Sequence, residues 1–405
     1  MTSPPLSQPS PPEAALALVV PSLVDVFLLF LRLGATAFGG PAMIAQIREV
    51  TVHRRRWLDD ATFGDGIVLA QSIPGATAMQ VVAWVGLVSR GPSGAAVAFV
   101  GFGLPAFFLM LALSATYVAA QGVPTAVALL DGLQIIVVAL VAHAAWTFGR
   151  PLVKSVGFLV IVALSGVAYF LALNPFAVIV GSAVAGLIVF RRLPAAPPRA
   201  TANALTAPPP HERWRAWAVL GTVVAALFGL LRLVGGRLFT LTALMVWINL
   251  FAFAGGFSSL PLMLHEVVTV RHWMDARTFM DGIALGQVTP GPISITATFI
   301  GYQIAGVVGA VVGTVAMFGP SLVFVIGSAP YFARIRTSAL YARASRGITA
   351  SFVALLIFVT ERFAAGIAWK PASVVLAVAA FIALVRRVDV LWVVLAGAAL
   401  WLVVR

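Results

Sequence analysis

Trp57 to Gly75 reads WLDDATFGDGIVLAQSIPG, and Trp273 to Gly291 reads WMDARTFMDGIALGQVTPG. At an offset of 216 residues the two stretches share 11 of 19 positions without a gap: Trp57/Trp273, Asp59/Asp275, Thr62/Thr278, Phe63/Phe279, Asp65/Asp281, Gly66/Gly282, Ile67/Ile283, Leu69/Leu285, Gln71/Gln287, Pro74/Pro290 and Gly75/Gly291. The same offset carries Gly39-Gly40 onto Gly255-Gly256 and Lys154 onto Lys370, so the chain is a duplication that covers nearly all of both halves. A Pro- and Ala-rich, polar stretch from Arg191 to Arg215 separates the copies, as a linker does. The organisation expected is a disordered tail at 1–14, an N-terminal repeat at 15–192, a linker at 193–213, an extra membrane helix at 214–236 built on the apolar run Ala216 to Leu231, and a C-terminal repeat at 237–405.

Both copies are made for a bilayer. Of 405 residues 61% are hydrophobic and 10% charged, and the mean hydropathy is +1.04. One soluble core cannot bury that much apolar surface. Apolar runs of about 17 to 25 residues follow one another from Ala14 onward, the length a helix needs to cross a hydrocarbon core of ~30 Å. The short alternating strands of a membrane barrel are absent. The excess of 26 Lys+Arg over 13 Asp+Glu sits mostly in short loops between apolar runs, where the positive-inside rule puts it, so nucleic acid is not an expected partner. With no Cys, disulfides, thiolate metal sites and Cys nucleophiles are excluded. The start, MTSPPLSQPSPPEAALALVV, lacks a basic n-region and reads as a tail, not a cleaved signal.

Charge decides how the repeats are oriented. After the first span the N-terminal half carries His53-Arg54-Arg55-Arg56, whereas Thr269 to His272 keeps only Arg271. The later loop reverses the bias: Ala119 to Pro124 is uncharged, but its counterpart region holds Arg334, Arg336, Arg343 and Arg346. Equivalent loops therefore belong on opposite sides of the membrane, and the repeats are inverted. The fold class expected is an all-α integral membrane protein of two inverted-topology repeats, each with a broken, re-entrant helical hairpin, and about 10 to 13 spans in total. Spans fit roughly 15–38, 93–118, 124–147, 155–172, 174–191, 238–254, 309–333, 343–362, 371–387 and 389–404, and the region Gly39 to Arg90 is expected to supply one further crossing.

The arms on either side of Pro74-Gly75 are each about 12 residues, or ~18 Å of helix, half a bilayer. Pro removes a donor and Gly permits a sharp reversal, so the pair reads as the tip of a half-membrane hairpin. In the second copy the tip is Thr289-Pro290-Gly291-Pro292. A helix N-terminus at mid-depth offers unpaired N–H groups and partial positive charge to an anion. Thr77, Thr289, Ser294 and the paired Gln71 and Gln287 add neutral donors. A second pair of breaks, Gly39-Gly40-Pro41 and Gly255-Gly256, reads as unwound backbone along the path or as close helix packing. Ionisable residues inside spans are costly, which makes Asp25, Arg32, Asp65, Asp131 and Asp281 functional candidates; Asp65, Asp131 and Asp281, with Arg48, Glu266 and Arg346, are the candidates for gating or coupling. Asp131 and Arg346, each preceding a matched glycine, form a candidate ion pair, and Asp65 and Asp281 also read as helix-start carboxylates.

No His shares a metal-ligand spacing and no P-loop is present, so no cofactor, no metal and no ATP drive are expected. An integral membrane enzyme for lipid-linked substrates would need clustered acids at an interfacial loop; the only pair, Asp59-Asp60, survives in the second copy as Asp275 alone.

The motifs Arg32-Leu-Gly-Ala-Thr-Ala-Phe-Gly-Gly-Pro41, Arg54-Arg-Arg-Trp-Leu58, Gln71-x-x-Pro-Gly75 and Gln287-x-x-Pro-Gly-Pro292 resemble those of the chromate ion transporter family in its long form with two homologous domains, from about Phe27 to the C-terminus. The resemblance implies a non-enzymatic secondary transporter in the bacterial inner membrane that exports chromate under the proton motive force, with sulfate or another small anion as the alternative cargo. The partners it implies are a small inorganic anion and the lipid bilayer, with assembly as a homodimer left open. The first tip reads Pro-Gly-Ala where Pro-Gly-Pro is usual, and the second break reads Ala-Gly-Gly-Phe where Phe-Gly-Gly-Gly is common, so equal roles for the halves do not follow.

Overall fold

The computed structural model describes residues 18–38, 40–192, 229, 236–253, 255–331 and 337–404. Apart from Gly229, the expected linker and the run Ala216 to Leu231 lie outside them, as do the expected tail and Gly39. All regular structure among the described residues is helical. The N-terminal half contains α1 (Leu23–Thr36), α2 (Gly40–Arg48), α3 (Asp60–Ser72), α4 (Thr77–Ala120), α5 (Pro124–Gly149), α6 (Val156–Phe170) and α7 (Pro175–Val189). The C-terminal half contains α8 (Gly236–Phe251), α9 (Gly256–Leu264), α10 (Ala276–Val288), α11 (Thr296–Ser328), α12 (Ala339–Ala365), α13 (Pro371–Val385) and α14 (Val390–Val404). Four segments are long and apolar enough to cross a membrane: α4, α5, Ile293–Tyr331 with α11 inside it, and α12.

The duplication extends to irregular backbone. The π-helical turns Glu49–Arg54 and His265–Val270 occupy equivalent places. Left-handed residues recur in pairs at Arg56/His272, Gly75/Gly291, Gly91/Gly306 and Ala172/Arg387. Asp59 and Asp275 cap α3 and α10 by accepting from the amides of Thr62 and Thr278, 2.7 Å each. Those are the helix-start carboxylates; Asp65 and Asp281 stand further along their helices, which corrects that reading of the pair.

Each half folds back at mid-depth twice. α3 and the first arm of α4 (77–89) are each ~20 Å long and meet at Ile73 to Ala76. The arms close because Gly66 leaves room for the Trp84 ring, as Gly282 does for Phe299. α4 is not continuous: Arg90 and Gly91 leave helical geometry, and a Cβ on Gly86 would overlap the Gly94 carbonyl. In a straight helix residues eight apart are ~12 Å apart, so the chain reverses here. Ala305-Gly306 reverses α11 likewise, with Gly301 against Gly309. The remainder of α4, from Pro92 to Ala120, is ~43 Å long and crosses the bilayer.

The second fold-back is α1 with α2. The Val19 amide donates to the Arg56 carbonyl at 2.9 Å, so the chain returns after Ala37 to the face it entered from. This corrects two expectations: 15–38 is not a full span, and Gly39 to Arg90 adds no crossing. Asp25 belongs to a capping box with Ser22 at the exposed start of α1, and Arg32 is exposed, so neither is a buried charge.

The long arm of α4 carries the chain from the face of Arg56 and Asp60 to the opposite one, where α5 begins. There Asp131, on α5, pairs with Arg277 in the first turn of α10. The second copy thus starts its hairpin from the face opposite the first, and the repeats are inverted. The chain contains no Cys, which makes this directly testable. An impermeant maleimide should label Ala61→Cys and Ala276→Cys, both exposed at hairpin starts, from opposite faces of the membrane; labelling from one face contradicts the inversion.

Candidate functional site

Four fold-backs place four chain breaks together at the centre, and the two halves complete each other there. The Gly75 amide, at the first hairpin tip, donates to the carbonyl of Ala252 just after α8, 2.9 Å. The Gly291 amide, at the second tip, donates to the carbonyl of Ala37 just after α1, 3.0 Å. Both glycines are left-handed, with φ of 127° and 106°. A Cβ on Gly75 would overlap the Ser321 hydroxyl, and one on Gly291 would press on the Ala106 methyl at 3.0 Å. Each tip therefore rests on the other half's long helix.

Helix N-termini converge at the same place. α2 opens at Gly40 and Pro41, α4 at Thr77, α9 at Gly256, and a 3-10 turn at Ile293–Ile295 opens α11. Thr77 Oγ1 lies 3.1 Å from where a Gly255 Cβ would stand, and Ser294 Oγ 2.8 Å from that of Gly256. Thr77 and Ser294 thus flank two successive glycines, one hydroxyl from each hairpin. Ser259 extends the row, its Oγ 3.2 Å from Ser294 Oγ. No side chain caps Ala76 or Pro292, so the first amides of α4 and of the 3-10 turn stay available to a ligand. Among the sequence candidates, Pro74, Gly75, Thr77, Gly255, Gly256, Pro290, Gly291, Pro292 and Ser294 belong to this cluster of tips, and Gly40 and Pro41 open α2 just after Ala37, whose carbonyl the Gly291 amide holds.

Others do not behave as a matched set. Gln71 is exposed, whereas Gln287 is half-buried with its amide nitrogen unpaired. Thr289 is buried and spends its hydroxyl on the Gly286 carbonyl, 2.8 Å, as a local cap. Arg48 makes a two-pronged pair with Asp60 at the exposed mouth of the first hairpin. Outside the spanning segments, the hydrogen bonds from Arg48, and then its charge, hold the Asp60 carboxyl below the usual carboxylate range. Glu266 is tied to Arg271 in its own π turn. Asp131 pairs with Arg277, not Arg346, whose guanidinium lies 5.8 Å from the Phe190 ring centroid; this corrects the expected Asp131–Arg346 pair. Asp65 is half-buried, and Asp281 is buried between Tyr117 and Gln134.

Three further polar residues brace the first tip and have no like counterpart in the repeat. Gln80 donates to the Pro74 carbonyl at 2.6 Å. Ser321 accepts from the Ala76 amide at 3.3 Å and from Asn249 at 3.0 Å, and Asn249 also donates to the Met317 carbonyl at 2.7 Å. All three are fully buried. Their signal in the sequence is a lone amide or hydroxyl within an apolar run.

An all-helical chain of inverted repeats, with broken helices meeting at mid-depth, defines a multi-pass membrane protein of the transporter class. The chain belongs to the chromate transporter family: the family model described as "Chromate transporter" matches residues 24–187 and again 239–402. It is 39% identical over 378 residues to an uncharacterised transporter of Methanocaldococcus jannaschii, covering 93% of this chain and 92% of that one. It is 32% identical over 352 residues to a chromate transport protein of Cupriavidus metallidurans (81% and 80% covered) and 31% over 313 residues to one of Pseudomonas aeruginosa (75% and 72% covered). No solved structure matches the chain.

The tip geometry predicts a sharp contrast between two glycines of one hairpin. Gly75→Ala should lower stability by ~2 kcal/mol or more, from the left-handed backbone and the overlap with Ser321. Gly64→Ala, with nothing within 4 Å of its added methyl, should be neutral or stabilising. Thermal melting of the purified protein in detergent checks this; equal melting of both variants contradicts the tip assignment.

Proposed function

We propose that this chain is a secondary active transporter that exports chromate from the cytoplasm across the inner membrane, driven by the proton motive force. The observation that carries the reading is the meeting of uncapped helix N-termini with Thr77 and Ser294 around Gly255-Gly256 at the junction of two inverted repeats. A tetrahedral dianion is well served there, because backbone amides and hydroxyls solvate it without a fixed countercharge that would hold it too tightly to release. The ion pairs Arg48–Asp60 and Arg277–Asp131 lie at the hairpin mouths. The names of the Cupriavidus and Pseudomonas relatives supply the choice of chromate over other oxyanions.

Each half gives the site one hairpin and one broken helix. Rocking of one repeat against the other about the shared tips opens the site to one face and then the other. Gly256 fixes the approach of Ser294: a Cβ there would stand 2.7 Å from the Ile293 side chain and 2.8 Å from Ser294 Oγ.

Inside-out membrane vesicles from cells with and without the chain test the proposal. Energised vesicles carrying the chain should accumulate chromate, an uncoupler should abolish the accumulation, and excess sulfate should compete if the site reads only shape and charge. Accumulation of sulfate or another anion with no movement of chromate would keep the architecture and discard the cargo.

A further inference from the structure

Among the described residues two carboxylates are buried, Glu266 and Asp281. Glu266 has its cation, Arg271. Asp281, 3% exposed, is held only by neutral donors: the Tyr117 hydroxyl at 2.7 Å and the Gln134 amide at 2.6 Å. A buried carboxylate held by neutral groups can take up a proton without stranding a buried cation, whereas one paired with a guanidinium cannot.

The position of Asp281 matters as much as its partners. It lies on α10, the outer arm of the second hairpin, while Tyr117 is at the far end of α4 and Gln134 is on α5. The carboxylate is therefore a hydrogen-bonded tie between the two repeats, on the arm that leads to the Gly291 tip. One turn outward, Arg277 and Asp131 form a second rung between the same helices, with side chains 60% and 42% exposed. Residues four apart on α10 and three apart on α5 share a face, so the outer rung leads from water to the inner one. The groups acting on Asp281 are Tyr117, Gln134, Arg277 and Asp131; of the other helices packed near α10, α14 carries no ionisable residue and α11 carries Tyr302.

The matched carboxylate of the other half sits in different surroundings. Asp65 is only half-buried, and where Gly132 is followed by Gln134, the matched Gly347 is followed by Thr349, whose hydroxyl bonds its own helix at Ser345. The duplication supplied two carboxylates, and of the two it is Asp281 that is buried.

We propose that Asp281 is the proton-carrying residue that couples the proton gradient to movement of the repeats. This rests on the transport reading above. As a carboxylate Asp281 accepts from Tyr117 and Gln134 and holds the repeats together on that side. A proton entering past the Arg277–Asp131 rung converts it to the acid, which removes its charge and one acceptor oxygen. The tie weakens, and the repeats are released to rock about the central tips. Return of the proton to the other aqueous phase restores the carboxylate.

Inside-out vesicles read coupling and exchange separately. Asp281→Asn, close in shape and unable to carry the proton, should lose uphill chromate accumulation and chromate-evoked proton flux, while exchange of labelled for unlabelled chromate persists. Driven accumulation by Asp281→Asn overturns the proposal, and so does loss of exchange in a folded variant, which marks a binding or packing role. Tyr117→Phe keeps the carboxylate and removes one donor; it should impair driven accumulation more than exchange, and equal impairment of both also overturns it. If the wild-type chain moves no chromate, the transport reading fails on its own, and proton flux evoked by sulfate still reports on Asp281.

Discussion

Two backbone hydrogen bonds, Gly75 to Ala252 and Gly291 to Ala37, set the terms for everything around them. A bilayer centre offers no water to a helix end, and each end leaves several donors or acceptors unmet. This chain brings four broken segments to that depth. It can do so only because the last carbonyl of each half's first helix is met by the tip amide of the other half. Gly is favoured at both tips because φ is positive, and at Gly75 a Cβ would also overlap Ser321. The reciprocal clasp explains why the halves are intertwined and not stacked side by side. It also uses one carbonyl at the end of α1 and one at the end of α8, while the first amides of α4 and of the 3-10 turn have no side-chain cap. Uncapped amides of this kind suit an anion.

Neutral solvation of an anion has a cost and a benefit. It binds more weakly than a guanidinium clamp would, but it leaves no isolated charge buried when the site is empty. The distribution of charge agrees. Guanidiniums are paired at the mouths, as in Arg48–Asp60 and Arg277–Asp131, and the centre is made of glycine, hydroxyl and amide groups. The first tip is braced by Gln80, Ser321 and Asn249, the second by Ser259 and Ser294, so the halves share a backbone plan but not a set of side chains.

Much of this was legible in the sequence because duplication and helix breaking leave local marks. Pro74-Gly75 and Pro290-Gly291 located the hairpin tips, and the Lys and Arg bias located the inversion. The fold-back of α1 onto α2 was not legible. An apolar run from 15 to 38 has the length of a span, and the bond that shows otherwise joins Val19 to Arg56 across most of both helices. Repeat arithmetic also misled where it assumed symmetry. It paired Gln71 with Gln287, which lie in different surroundings, and Asp131 with Arg346, which are far from equivalent once α10 brings Arg277 to Asp131. Gln80, Asn249, Tyr117 and Gln134 were missed for the same reason, since a residue without a repeat partner carries no mark of its role.

On the proposed reading the anion passes at the clasp of tips, and one substitution tests this. Leucine at position 291 forces a side chain into left-handed backbone against Ala106 and breaks the seat of the second tip. Cells carrying Gly291→Leu should lose the chromate resistance conferred by the wild-type chain while the protein is still made and inserted in the membrane at normal amount. Unaltered resistance in such cells would contradict the account, because transport would then be proceeding without an intact tip.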